Sequence, residues 1–166
     1  MSSDEYCTGK VLVLGIGNLV MSDDGVGVKV VKRLQREYRF PDNVEVMDGG
    51  TLGLDLLPKL EGIERLIIVD AVETGERAGT CVRLTGEELP IALETKLSPH
   101  QMGLKDLLAV AQLMGHSPRE MVLIGVQPGS IEMDTELTPE VEATVDGLIA
   151  SVLTELQQWG VEPLPV

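Results

Sequence analysis

At 166 residues the chain fits the roughly 100–200 residues of one compact domain and is long enough to bury a core. Its 27 Asp plus Glu against 13 Lys plus Arg leave a net charge of −14, and with scattered basic residues and only Tyr6, Tyr38, Phe40 and Trp159 as aromatic side chains, nucleic acid is not an expected partner. Cys7 and Cys81 lack any paired spacing, no secretory apolar segment opens the chain, and no apolar run approaches the roughly 20 residues that span a bilayer, so a cytoplasmic protein without membrane insertion is expected.

Five short β-branched runs read as strands: Val11 to Leu14, Val44 to Met47, Leu66 to Val69, Thr80 to Leu84 and Met121 to Val126. After the first of them, Gly27, Val30, Val31, Leu34 and Tyr38 fall on one face of a helix. A short helix is expected within Thr51 to Leu60, limited by Pro58. Only about ten residues separate Asp70 from Thr80, too few for the helical crossover that parallel pairing needs, so these two strands are not expected to form a parallel pair and the sheet is expected to be mixed. Leu104, Leu107, Leu108 and Ala111 mark a second helical face. Thr138 reads as the N-cap of the last helix, with Pro139 in its first turn, Val141, Val145, Leu148, Ile149, Val152 and Leu156 along it, and an end near Gly160. The class is α/β. No repeat or linker divides the chain, so a single domain over 1–166 is expected, with 1–9 and 161–166 as loose termini.

Gly15-Ile16-Gly17-Asn18 opens like a dinucleotide fingerprint, but position 20, where the third glycine belongs, is Val20. The glycines then read as a tight turn whose backbone passes close to a neighbour. Ser22-Asp23-Asp24-Gly25 stands at the start of the first helix, where one acid caps free N–H groups and complements the helix dipole. Two adjacent carboxylates repel each other, so Asp23 is read as the cap and Asp24 as pointing into a site, with a cap as its alternative role.

Asp70 closes a run that is apolar throughout and therefore buried on both faces. It stands at the carboxyl edge of a central strand, where open α/β sheets place their ligands, and an acid there has to be solvated, hydrogen-bonded or metal-bound. Ser98-Pro99-His100-Gln101 matches a capping box, which puts His100 in the first turn of a helix, where the dipole favours the neutral, metal-ligating imidazole. Asp24, Asp70 and His100 together would offer an O,O,N donor set suited to a borderline divalent metal. Asp48, before Gly49-Gly50, reads as part of a turn and as a candidate substrate contact. His116, at a helix end, and both cysteines are assigned no role. No GxSxG, HExxH or paired Cys/His signature occurs.

Taken together, Val11 to Asn18, Asp23-Asp24-Gly25-Val26-Gly27, Asp48-Gly49-Gly50, Leu66 to Ala71, Ser98-Pro99-His100-Gln101 and Gly125-Val126-Gln127-Pro128 resemble the hydrogenase maturation endopeptidases. The likeness runs from about Lys10 to Gly160. It implies a three-layer α/β/α fold around a five-stranded, mostly parallel sheet with helices on both faces. It also implies an endopeptidase that removes a C-terminal extension from the precursor of the nickel-iron hydrogenase large subunit once nickel, presented by that precursor, is in place. The family's metal-contacting positions fall on Asp24, Asp70 and His100, and some members carry Glu where this chain has Asp24. Asp24 and Asp70 are the candidates for catalysis, as an aspartic-type base or in metal-assisted hydrolysis. Two other readings compete: a nickel-handling chaperone that does not cut, and a nucleotide-binding protein built on Gly15 to Asn18.

Overall fold

The computed structural model describes residues 9–86, 88, 89 and 99–166, with side chains throughout except over 99–105. A central sheet is built from β1 (Lys10–Ile16), β3 (Val44–Gly50), β4 (Ile63–Ala71), β5 (Cys81–Thr85) and β6 (Glu120–Val126), in the order β3-β1-β4-β6-β5. A separate pair joins β2 (Tyr38–Arg39) to β7 (Leu164–Pro165). The helices are α1 (Val26–Glu37), α2 (Leu57–Leu60), α3 (Pro99–Leu113), α4 (Pro139–Glu142) and α5 (Val145–Gln158), with 3-10 turns at Ser22–Gly25 and Gly53–Leu56. All five expected strands form.

β1 pairs in parallel with β3 and β4, and β4 with β6, whereas β5 runs antiparallel to β6. The sheet is therefore mixed, as the short connection after Asp70 requires: nine residues, 72–80, bring the chain across the carboxyl edge to start β5 beside Val126. Alternation along the inner strands divides the core in two. Val11, Val13, Ile67, Val69, Val122 and Ile124 face α1 and α5 on one side. On the other, Leu12, Leu14, Leu66, Ile68 and Leu123 meet Leu56, Leu60, Leu107 and Ala111. Strands apolar on both faces, covered by helices on both, give the three-layer α/β/α arrangement.

The helical signals are met with revisions at two helix ends. α1 buries Gly27, Val30, Val31 and Leu34, as its spacing predicts, whereas Tyr38, expected on the same face, lies past the helix end in extended backbone and opens β2. α3 buries Leu107 and Ala111 and ends at Gly115, where the amide of His116 donates to the Ala111 carbonyl (2.8 Å) and that of Gly115 to Gln112 (3.2 Å), a glycine-terminated helix stop. The last helix, expected to be continuous from Thr138, is broken into α4 and α5. The Thr144 hydroxyl bonds back to the Val141 carbonyl (2.6 Å) and the Thr144 amide donates to the same oxygen (2.9 Å), closing a turn before α5 starts. The tail expected to be loose over 161–166 carries a fully buried Val161, and Leu164 and Pro165 form β7 against Arg39 and Tyr38. No helix among the described residues is long and apolar enough to cross a membrane.

Candidate functional site

The carboxyl edge of the parallel strands is closed by three loops that follow β1, β4 and β6. The first begins with the glycines of Gly15-Ile16-Gly17. A Cβ on Gly17, whose φ is +139°, would lie 1.8 Å from the Asp24 carbonyl oxygen, and one on Gly15 would lie 2.4 Å from that of Gly27. Gly27 in turn has no room for a Cβ, which would meet the Val69 carbonyl oxygen at 2.0 Å. These glycines let the start of α1 settle directly on β1 and β4. The backbone therefore approaches itself, and the dinucleotide reading of Gly15 to Asn18 has its physical alternative.

This contact carries Asp24 to the strand that bears Asp70. The 3-10 turn Ser22–Gly25 packs on β4, and Gly27 rests on Val69, the residue before Asp70. Both acids are withdrawn from solvent, with 3% of Asp24 and none of Asp70 exposed. Asp24 Oδ2 accepts a hydrogen bond from the Asn18 amide at 3.1 Å, so the carboxylate braces the loop from which it projects. Asp70 lies in β4 opposite Gly125 of β6, at the centre of the sheet. Buried carboxylates at such an edge are suited to holding a cation or activating water.

His100 lies in the first turn of α3. α3 leads through residues 114–119 into the amino end of β6, so its last turn stands at the amino edge and its first turn at the carboxyl edge, the end that holds Asp24 and Asp70. The His100 side chain and the capping residue Ser98 lie outside the described residues, and among those described no three His, Cys, Asp or Glu side chains form a metal-binding group. Asp48 lies within β3, exposed, its Oδ1 accepting from the Gly50 amide at 2.8 Å. The bond closes the chain locally at the Gly49-Gly50 turn, where a turn is expected of the glycines.

Asp23 is a correction to the expected cap. It is fully buried, and its carboxylate serves a loop more than a hundred positions away: Oδ2 accepts from the amides of Gly129 (2.7 Å) and Ser130 (3.0 Å) and from the Thr138 hydroxyl (2.8 Å), and Oδ1 from the Thr138 amide (2.7 Å). The Thr138 side chain is thereby diverted from capping α4. Backbone bonds continue the seam, from Ser22 to the Asp134 carbonyl (2.8 Å) and from Asp134 to that of Val20 (3.0 Å). Ser22 is held at φ +53°, the left-handed region that non-glycine residues enter at a cost, and its hydroxyl donates to the Glu132 carbonyl.

Gln127 is a second fastener that the residue pattern did not signal. Almost fully buried, it accepts through Oε1 from the Thr74 amide (2.6 Å) and hydroxyl (2.8 Å) and donates through Nε2 to Glu73 (3.1 Å). It thus ties the loop after β4 to the loop after β6. A glutamine following a strand carries no periodic or capping signal, so only the fold exposes its task.

The fold has three layers, a glycine-packed first loop, and two acids, Asp24 and Asp70, buried at the carboxyl edge of its sheet, which defines the protein as an α/β/α fold with a candidate site at that edge. The sequence profile of the hydrogenase maturation protease family (HycI) matches residues 28–155. The chain is 41% identical over 157 residues to the hydrogenase 2 maturation protease of Escherichia coli (strain K12), covering 94% of this chain and 96% of that protein. It is 45% identical over 155 residues to the hydrogenase expression/formation protein HupD of Rhodobacter capsulatus, covering 92% and 74%. The fold is similar to that of the hydrogenase maturating endopeptidase HybD from E. coli, with a TM-score of 0.90 at 41% identity over 94% and 97% of the two chains. It is also similar to the [NiFe] hydrogenase maturation protease HybD from Thermococcus kodakarensis, with a TM-score of 0.74 at 30% identity over 89% and 99%. This chain belongs to the hydrogenase maturation protease family. It is an endopeptidase.

Proposed function

We propose that this endopeptidase removes the C-terminal extension from the precursor of a nickel-iron hydrogenase large subunit, and that nickel seated in the precursor is what it reads. The observation that carries this is the pair of buried carboxylates, Asp24 and Asp70, brought to one edge of the sheet by the packing of Gly27 on Val69. Asp24, Asp70 and His100 are the proposed metal contacts. Two hard oxygens and one imidazole bind nickel more weakly than thiolates do, so such a site touches the precursor's metal without extracting it. One of the two carboxylates then activates the water that attacks the scissile carbonyl, or the metal polarises that carbonyl. The whole chain acts as one domain, and its place of action in this reading is the cytoplasm.

The test is intact mass of a hydrogenase large-subunit precursor, nickel-loaded and nickel-free, before and after incubation with the protein. Loss of a C-terminal peptide from the loaded form alone is the expected result. Asp70→Asn and His100→Ala should abolish this loss while thermal unfolding changes little. Equal cutting of both forms would remove nickel as the recognition element, and cutting of neither would leave a nickel-handling role without proteolysis.

A further inference from the structure

Large apolar side chains stay exposed on the loops around the candidate site. Val20 and Met133 are 49% and 84% exposed and lie beside one another across the seam, where the Asp134 amide donates to the Val20 carbonyl (3.0 Å). On the other side, the Gly17 amide donates to the Gly50 carbonyl (2.9 Å) and so joins the first loop to the turn that exposes Leu52 (51%) and Leu54 (48%). The bonds that hold these loops together thus fix four apolar groups on loops at the carboxyl edge, the end of the sheet that carries Asp24 and Asp70. Exposed apolar groups gathered on a rigid rim, in place of scattering singly, mark a surface that another molecule covers.

The charge of the same loops selects what covers it. Residues 17–25, 49–56 and 128–138 contain no Lys or Arg. Glu132, Asp134 and Glu136 flank Met133 and are exposed, as is Asp55 beside Leu54. Lys29 is committed to the Thr135 carbonyl at 2.7 Å, and Arg77, exposed on the loop after β4, lines a pocket with Gly129, Thr138 and the acidic Glu140. A partner offering apolar groups alone would leave these carboxylates desolvated and unpaired, which opposes binding. A partner that offers apolar groups flanked by Lys or Arg satisfies both.

We infer that Val20, Leu52, Leu54 and Met133 form an apolar collar with an acidic rim that docks an apolar, basic-flanked segment of the precursor protein next to the bond that is cut. This rests on the processing role proposed above and names the surface that selects the substrate. Met133, nearly fully exposed on an unbranched side chain, adapts to the contour of that segment. The opposite end of the molecule provides a comparison, since Leu113 is 87% exposed at the last turn of α3, far from the carboxyl edge.

The test measures kcat and KM for the nickel-loaded precursor across salt concentrations, with wild type, Val20→Ser/Met133→Ser, Glu132→Gln/Glu136→Gln and Leu113→Ser. The apolar pair should raise KM about tenfold or more with kcat nearly unchanged, while Leu113→Ser leaves both as they were. Wild-type kcat/KM should fall as salt rises, and the acidic pair should flatten that slope. Unfolding temperatures of all variants within about 2 °C of wild type keep the comparison free of folding defects. Processing by wild type with KM unmoved in both double variants overturns the collar and leaves the processing role intact. Failure of wild type to cut or bind the precursor overturns the processing role and the collar with it. A KM raised only by the acidic pair, with the apolar pair silent, also overturns the collar.

Discussion

Replacing Asp23 by Asn keeps the shape of a side chain that accepts four hydrogen bonds and removes its charge. Placing the amide oxygen at the Oδ2 position retains the partners Gly129, Ser130 and the Thr138 hydroxyl. The new NH2 group then faces the Thr138 amide, which donates to Oδ1 at 2.7 Å in the native protein, so two donors confront each other in a site without solvent. A buried donor left unmatched costs about 1–3 kcal/mol, and loss of charge assistance weakens the other three bonds, giving about 2–4 kcal/mol in all. For a domain of this size that lowers Tm by about 4–16 °C. Differential scanning calorimetry measures the shift, and Glu132→Gln, an exposed acid on the same loop, should move Tm by less than about 2 °C. Endopeptidase activity should fall as well, because the loop fastened by Asp23 flanks the turn that carries Asp24. A Tm for Asp23→Asn within about 1 °C of wild type would refute the assignment of these four bonds as the fastening of the two loops.

Gly27→Ala forces a Cβ to within 2.0 Å of the Val69 carbonyl oxygen, a backbone atom of the central strand that has no room to yield. It is expected to destabilise by about 3 kcal/mol or more and to separate Asp24 from Asp70; a wild-type urea midpoint would contradict the packing. Glu155 is buried and gripped by the Arg83 guanidinium at 2.9 and 2.8 Å, which also holds the Arg83 pKa above its ordinary value. Arg83→Met should cost about 1–3 kcal/mol, less than for a fully buried pair because the guanidinium is half in solvent, and adding Glu155→Leu should recover much of that loss in chemical denaturation. Burial of its sulfur pushes the Cys81 thiol up, against the opposing hydrogen bond to Thr144. A raised pKa leaves less thiolate at neutral pH, so labelling by a disulfide reagent should be slower than that of glutathione and should gain its rate at more alkaline pH; faster labelling would contradict this.

The strands and both sheet-covering helices were legible because local periodicity and burial agree: Leu66 to Val69 is apolar at every position and lies between two helical layers, and the spacing of Val30, Val31 and Leu34 is the face α1 buries. The direction of β5 was constrained by chain length alone. At the edge of the sheet the local rules became ambiguous. An acid before a helix satisfies capping propensity equally well by bonding its own helix or a distant loop, so Asp23 could be flagged while its partners at 129, 130 and 138 could not. The same competition ended the last helix early: Thr144 uses its hydroxyl on Val141, a choice that periodicity over Val141 to Leu156 does not encode. The tail carries two prolines and a polar residue, yet Val161 is drawn into the core beside Trp159 by tertiary packing that composition cannot report.

That tail fixes the orientation in which the protein can be handled. Val166 donates its amide to the Glu37 carbonyl (2.9 Å), so the described chain ends beside the last residue of α1, at the amino edge of the sheet and away from Asp24 and Asp70. A tether or fluorophore attached after Val166 therefore leaves the carboxyl edge facing outward, available to a partner as large as a folded precursor. Shortening the chain before Val161 is a different operation, since it removes a fully buried residue from the core cluster that α1 and α5 share with the sheet.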